Sequence, residues 1–339
     1  MQTRIWKRVF LPAAALAAFS TLVGCSSSIH SPTEKYILVT TNRQVSYWKA
    51  AFAGLNKAAK EMGVKTEMVG PENYDPQAEH QAFQRAIQEK PSGIMVSAAN
   101  AALITPDINS ALAQGIPVIT VDSDAPNSKR LFFVGTDNYK AGRLGGELVV
   151  KLLKGKGNVA IMTIPTQPNL QDRLRGYKNI FADHPGIKIS QIVNVKGDPN
   201  VAFDATRKLL AGKPKIDAFV CLEAISCPEV GEVVNRSNMG GKVTIVAMDT
   251  NDLTINWIQK GIISATIAQK PFTMAYYGAK LLDDLHHHPP TPLTADWADN
   301  PTAPIPTFVD TGAFIVDKQN VQSFLQRSHA AGNHAAQQP

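Results

Sequence analysis

Three cysteines in 339 residues are too few for a disulfide scaffold. Aromatic residues make up 7% of the chain and charged residues 18%. No run of Lys and Arg is dense enough to track phosphates, so no nucleic-acid partner is expected. The formal charge is +6, but Arg4, Lys7 and Arg8 open the chain with no acid among the first 24 residues. Beyond them, 31 basic residues face 28 acidic ones. Past that opening, no apolar run is long enough to span a bilayer. Catalytic signatures are missing too: there is no G-x-S-x-G and no H-E-x-x-H. Gly142-x-x-Gly145-Gly146 lacks the βα turn that a dinucleotide fingerprint needs. Cys221 and Cys227 have no second ligand pair at zinc-site spacing, so no metal and no cofactor are expected, and the chain does not read as an enzyme. Consecutive His286, His287 and His288 read as the polar end of a helix stopped by Pro289-Pro290, with adventitious metal binding as the alternative.

The chain does have 44% hydrophobic residues, enough for two ordinary domains. Its start, MQTRIWKRVFLPAAALAAFSTLVGC, couples a basic head to an apolar stretch from Val9 to Val23. This fits a signal-peptide core. It ends in Leu22-Val23-Gly24-Cys25, which looks like a bacterial lipobox, with Cys25 lipidated and then the new N-terminus. An ordinary secretory signal is the alternative, and either places the mature protein outside the cytoplasm. We therefore expect a signal peptide over 1–24 and a polar tether over 25–34, opening with Ser26-Ser27-Ser28.

From Tyr36 onward, short apolar strands alternate with amphipathic helices. Strands are expected at Tyr36–Thr41, Lys65–Val69, Gly93–Ser97 and Pro117–Val121. Helices at Ser46–Met62, Asp75–Gln88 and Ile104–Ala113 separate them. The rhythm restarts at Tyr139, with strands at Val159–Thr163, Lys188–Val195, Ala218–Leu222, Val243–Met248 and Ser264–Gln269. Such βαβ alternation implies parallel sheets in an α/β fold. Phe272–Leu285 reads as a helix returning to the first domain, 286–306 as a Pro-rich crossing loop, and Gly312–Val316 as a last strand. Residues 328–339 carry no pattern and read as a disordered tail.

Six segments in order resemble the periplasmic sugar-binding proteins of the ribose/galactose-binding type, the substrate receptors of ABC importers. They are Tyr47-Trp48; Gly115-Ile116-Pro117-Val118-Ile119 running to Asp122; Val134-Gly135-Thr136-Asp137-Asn138; Arg173-Leu174-Arg175-Gly176; Val246-Ala247-Met248-Asp249; and Ala265-Thr266-Ile267-Ala268-Gln269-Lys270-Pro271. The resemblance implies the type I periplasmic binding protein fold: two Rossmann-like lobes joined by three crossings, near Asn138, Gln269 and Pro304. The first lobe would hold 35–137 plus 270–304, and the second 138–269 plus 305–327. Ligand would lie in the cleft at the carboxyl ends of the strands, as in open α/β sheets generally.

By that resemblance, Tyr47 and Trp48 form an aromatic wall for the C–H face of a sugar; helix-face core residues are the alternative. Asn42, Arg43 or Gln44 reaches the ligand from the loop after the first strand. Asp122 accepts two hydroxyls, or else caps a helix. Arg173 donates from the second lobe, or else makes a surface ion pair. Asp249 and Gln269 contribute from the second lobe and the hinge, or serve as a turn former and a hinge hydrogen-bonder. The sequence departs from the family where Ser123, expected to face the ligand, and Asp124 follow Asp122, where Met248 replaces an aromatic residue, and where Glu223 adds a carboxylate to the cleft or else is an exposed loop acid. These departures count against ribose itself. The acceptor-rich set suits a neutral polyhydroxylated or amine-bearing ligand and disfavours phosphorylated or acidic sugars.

Cys221 and Cys227, six apart in an oxidising compartment, are expected to form a disulfide, with two buried thiols as the alternative. The implied partners are a monosaccharide-like molecule, an ABC permease, and a membrane through the Cys25 anchor, with the protein a monomer. A sensory receptor presenting its ligand to a chemoreceptor or histidine kinase is the alternative function. A transcription regulator of the same fold is not expected, because the expected signal peptide and tether occupy the place of its DNA-binding domain.

Overall fold

The computed structural model describes residues 30–328. The signal segment, Cys25 and residues 329–339 of the expected tail lie outside the described residues. In chain order, the first lobe opens with β1 (Lys35–Val39), α1 (Ser46–Met62), β2 (Lys65–Val69), α2 (Pro76–Gln88), β3 (Gly93–Val96), α3 (Ala101–Ala113), β4 (Val118–Val121) and β5 (Phe133–Gly135). The second lobe follows with α4 (Asn138–Leu152), β6 (Gly157–Thr163), α5 (Pro168–Ala182), β7 (Ile187–Asn194), α6 (Pro199–Ala211), β8 (Ala218–Cys221), α7 (Ser226–Arg236), β9 (Thr244–Met248), α8 (Asp252–Gln259) and β10 (Ala265–Ala268). Then come α9 (Pro271–His287), β11 (Phe308–Asp310), β12 (Phe314–Asp317) and a helix over 321–328.

The strands form two six-stranded sheets, ordered β11-β5-β4-β3-β1-β2 and β12-β10-β9-β8-β6-β7. All pairings are parallel except β10 with β12. Helices cover both faces, so β3, β4, β8 and β10 are buried at every position. That explains why they read as unbroken apolar runs. Local chemistry starts many of the helices. Asp75 accepts from the amides of Gln77 and Ala78 ahead of Pro76, and Asp198 accepts from Asn200 ahead of Pro199.

The chain crosses between lobes three times. It leaves β5 for α4, which packs on α5, β9 and β10, and it returns after β10 into α9, which packs on α1, β3, β4 and β5. The third crossing falls at 311–313 rather than near Pro304. Between α9 and that point the Pro-rich segment stays on the first lobe, where Leu293, Trp297 and Ile305 pack against its core. Phe308 then stacks on Phe133, with ring centroids 5.1 Å apart, as β11 pairs with β5.

Other expectations also change. Cys221 and Cys227 are free, buried cysteines and not a disulfide. Cys221 ends β8 and Cys227 sits in the first turn of α7, each packed in the core of the second lobe. The expected tether is partly structured. Glu34 is buried, the Ser31 amide bonds its carboxylate, and His30 lies 2.9 Å from Asp283 on α9. The three consecutive histidines differ from one another, since His286 and His287 turn toward the protein and His288 is exposed. Among the described residues, no helix is long and apolar enough to cross a membrane.

Candidate functional site

The carboxyl ends of β1, β4, β6, β8 and β9 meet across a small cavity of about 60 Å³ between the two lobes. Asn42, Tyr47, Trp48, Asp122, Arg173, Glu223, Asp249 and Gln269 all line it. Ser123 does not. Its hydroxyl donates to the Ala98 carbonyl at 2.7 Å, inside the first lobe. Asp124 also turns away, held by Arg130 Nε and Nη2 at 2.5 and 2.6 Å. The acceptor-rich set is therefore Asp122, Glu223 and Asp249.

Asp122 and Asp249 occupy matching places in the two lobes. Each follows the third strand in from the β11 or β12 edge, and each adopts a left-handed backbone, with φ of 63° and 68°. Such a turn is tolerated by Asp because its short side chain can bond locally. It is a strained but productive way to aim a carboxylate off the end of a strand.

Asp122 is engaged from both lobes. Tyr47 Oη donates to Oδ1 at 2.7 Å, and Asn169 Nδ2 donates to Oδ2 at 3.1 Å. Arg173 Nη2 lies 4.0 Å from Oδ1. Burial raises the Asp122 carboxyl above its ordinary value despite the pull of Arg173 and Tyr47. Burial also pushes the Tyr47 hydroxyl well up, with the Asp122 charge adding to it, so Tyr47 remains a donor. Trp48 is 4% exposed, stands edge-on to Tyr47 at 5.1 Å, and donates from Nε1 to Thr41 Oγ1. It is both core and cavity wall, so the two readings of this pair are not exclusive.

Arg173 is fixed by two bonds, from Nε to Asn138 Oδ1 at 2.8 Å and from Nη1 to the Leu222 carbonyl at 2.7 Å. Its Nη2 has no hydrogen-bond partner among the described residues. Gln269 Nε2 donates to Asp249 Oδ1 at 2.9 Å, leaving Gln269 Oε1 without one. Asn169 Oδ1 is in the same position. A buried polar atom without a partner costs about 1–3 kcal/mol, so these three atoms favour a ligand with hydroxyls.

Burial raises the Asp249 carboxyl to about 7. Arg173 and Gln269 oppose the rise, and Asp122 and Glu223 add repulsion. Glu223 is raised chiefly by burial, but its oxygens accept from the Ile225 and Ser226 amides where α7 begins. It is tied to the start of α7 while lining the cavity. Asn42 is similarly committed, accepting from Gln44 and Val45 as the chain turns into α1.

Sequence reasoning missed Thr41, Tyr74, Gln167 and Asn169, which also line the cavity. Tyr74 carried a signal, because it directly precedes the Asp75 cap on the loop after β2. It packs against Gly197 of the second lobe, where a Cβ would stand 2.5 Å from the Tyr74 side chain. An aromatic group thus reaches this place from the opposite lobe. Asn169 carried none: it sits one turn before Arg173 on α5 and is recognisable only once that helix is placed.

Comparison with known proteins agrees with this architecture. Residues 36–287 match the periplasmic binding protein domain. The ribose import binding protein of Bacillus subtilis is 27% identical over 241 residues, 69% of this chain and 75% of its own. The D-allose-binding periplasmic protein of Escherichia coli is 25% identical over 276 residues, 78% of this chain and 88% of its own. The solved glucose-galactose binding protein of Geobacillus stearothermophilus superposes with a TM-score of 0.78 at 30% identity, covering 86% of this chain and 99% of that one. The chain belongs to the periplasmic binding protein family, among the relatives of the ribose- and allose-binding proteins.

Proposed function

We propose that this protein is an extracytoplasmic receptor that binds a neutral or amino sugar, or a polyol, in the interlobe cavity. It delivers that ligand to an ABC permease. The observation that carries the reading is Asp122, a buried carboxylate touched by Tyr47 of one lobe and Asn169 of the other. A ligand hydroxyl bonded there favours the closed pair of lobes. Three buried carboxyls beside one guanidinium leave no surplus positive charge for a phosphate or a sugar acid. The relatives named for ribose, allose and glucose-galactose binding support monosaccharides as the class.

Lipidation at Cys25 would keep the receptor, as a monomer, on the outer face of a bacterial membrane. Cys25→Ala should release it from the detergent phase.

Thermal shift and calorimetry against monosaccharides, polyols, amino sugars and sugar phosphates test the ligand class. A true ligand at 100 times its Kd should stabilise the folded protein by about 2.7 kcal/mol. Sugar phosphates should give no shift. Tighter binding of a phosphate ester than of its parent sugar would overturn the reading.

A further inference from the structure

At the other end of the first lobe, away from the cavity, the amino end of β1 meets the carboxyl end of α9. There His30, Glu34, Asp283 and His287 bring one ligating atom each within 4.8 Å of one another. We propose that these four side chains form a binding site for a divalent first-row transition ion such as Zn²⁺, tying the segment ahead of β1 to α9.

The spacing fits a metal. Zinc bound by imidazole and carboxylate at about 2.0–2.2 Å in a tetrahedron sets its ligand atoms roughly 3.4 Å apart. Here His30 Nε2 lies 2.9 Å from Asp283 Oδ2, and His287 Nε2 lies 3.3 Å from Glu34 Oε2 and 3.7 Å from Asp283 Oδ1. Asp283 and His287 are one helical turn apart on α9, so the helix itself presents both on one face.

The surroundings also fit. Each carboxylate also accepts a hydrogen bond from a group outside the four. The Ser31 amide donates to Glu34 Oε1, and Tyr36 Oη donates to Asp283 Oδ1 at 2.8 Å. Partners of this kind orient metal ligands and fix their lone pairs. Glu34 is only 7% exposed, and its Oε2 has no hydrogen-bond donor among the described residues. His287 Nε2 likewise makes no hydrogen bond. An ion at the centre would satisfy both atoms. Two imidazoles with two carboxylates suit zinc, cobalt, nickel or manganese better than magnesium or calcium, which prefer all-oxygen shells. A set of bare histidine–carboxylate pairs is the competing account.

Calorimetric titration of the chelator-treated full chain with ZnCl₂ should show one site per molecule, with MgCl₂ and CaCl₂ giving none. Asp283→Asn and His287→Ala should each weaken that site at least tenfold. A variant with His288, His329 and His334 changed to Ala should keep it. Co²⁺ should give the intense visible absorption of a tetrahedral complex, which reads the site directly even if a variant is destabilised. Sugar affinity should not change on zinc addition, so failure here leaves the cavity assignment standing. Absence of stoichiometric Zn²⁺ binding, or binding untouched by both substitutions, would overturn the proposal in favour of simple ion pairs.

Discussion

Asp122 is where a single side chain can be tested most sharply. Alanine would abandon the left-handed turn as well as the carboxylate, mixing backbone strain with lost recognition. Asp122→Asn keeps the shape and tolerates φ of 63°. It gives up the charge that ligand hydroxyls and Arg173 would meet. We expect ligand affinity to fall roughly 10- to 30-fold, at 1.4 kcal/mol per tenfold. The ligand-free melting temperature should barely move. Calorimetry and melting of the same preparation check both. Full affinity in this variant would mean the ligand sits elsewhere.

Asp249 gives a pH prediction. Its carboxyl is raised from 3.8 to about 7 in the folded protein. Between those values the folded state holds a proton that the unfolded chain has lost. The folded state therefore binds more protons, and stability falls as pH rises through that window. Asp249 contributes at most about 1.4 kcal/mol per pH unit to that slope, and its contribution ends above about 7. Denaturant melts of ligand-free protein from acid to neutral pH should show this fall. Asp249→Asn should remove only its share, because Asp122, Glu223 and Glu79 are also raised by burial and act with the same sign; an undiminished slope in that variant would assign the titration to those groups.

Among the elements, α1 and α5 matter most, since one bears Tyr47 and Trp48 and the other Asn169 and Arg173. Each lies against the helix that follows a crossing, and a glycine makes the close approach possible. A Cβ on Gly54 of α1 would stand 2.1 Å from the Phe272 carbonyl oxygen of α9. One on Gly176 of α5 would stand 2.3 Å from the Tyr139 carbonyl oxygen of α4. The cavity-bearing helices are thus seated on the helices next to the hinge. Gly176→Ala should force α5 outward, costing about 1–3 kcal/mol in stability. It should also weaken ligand binding by displacing Arg173. Arg175→Ala, at an exposed position on the same helix, should do neither. Paired melting and calorimetry would show whether helix seating and recognition are coupled.

The elements that escaped sequence reading are the short ones. β5 and β11 have three residues each, and α8 has eight. None is long enough for its periodicity to show. β11 also lies behind the Pro-rich segment, and that is why the third crossing was expected too early.

For the whole molecule, Asp122 draws bonds from both lobes, so the structure is a closed arrangement. Three short crossings allow the lobes to part without breaking either sheet. Small-angle scattering should give a larger radius of gyration for ligand-free protein than for the saturated form. Equal radii would mean that the lobes are already shut without ligand.

The sequence by itself determined the layered α/β architecture, the division into two similar lobes and most of the strand positions. Runs buried on both faces and helices with one apolar stripe can be read locally. The resemblance of its motifs to a known family also pointed to Tyr47, Asp122, Arg173, Asp249 and Gln269. The tertiary structure decided which polar groups face the cavity. Asp124 is lost to Arg130, Ser123 to Ala98, and much of Glu223 to the start of α7. Tyr74 and Asn169 are gained from opposite lobes. It also kept Cys221 and Cys227 as separate thiols, and it brought His30 to Asp283 across 253 positions of chain. The physical reason is common to all of these. A side chain's partner is set by which groups packing brings within about 3 Å, and spacing along the chain does not encode that distance.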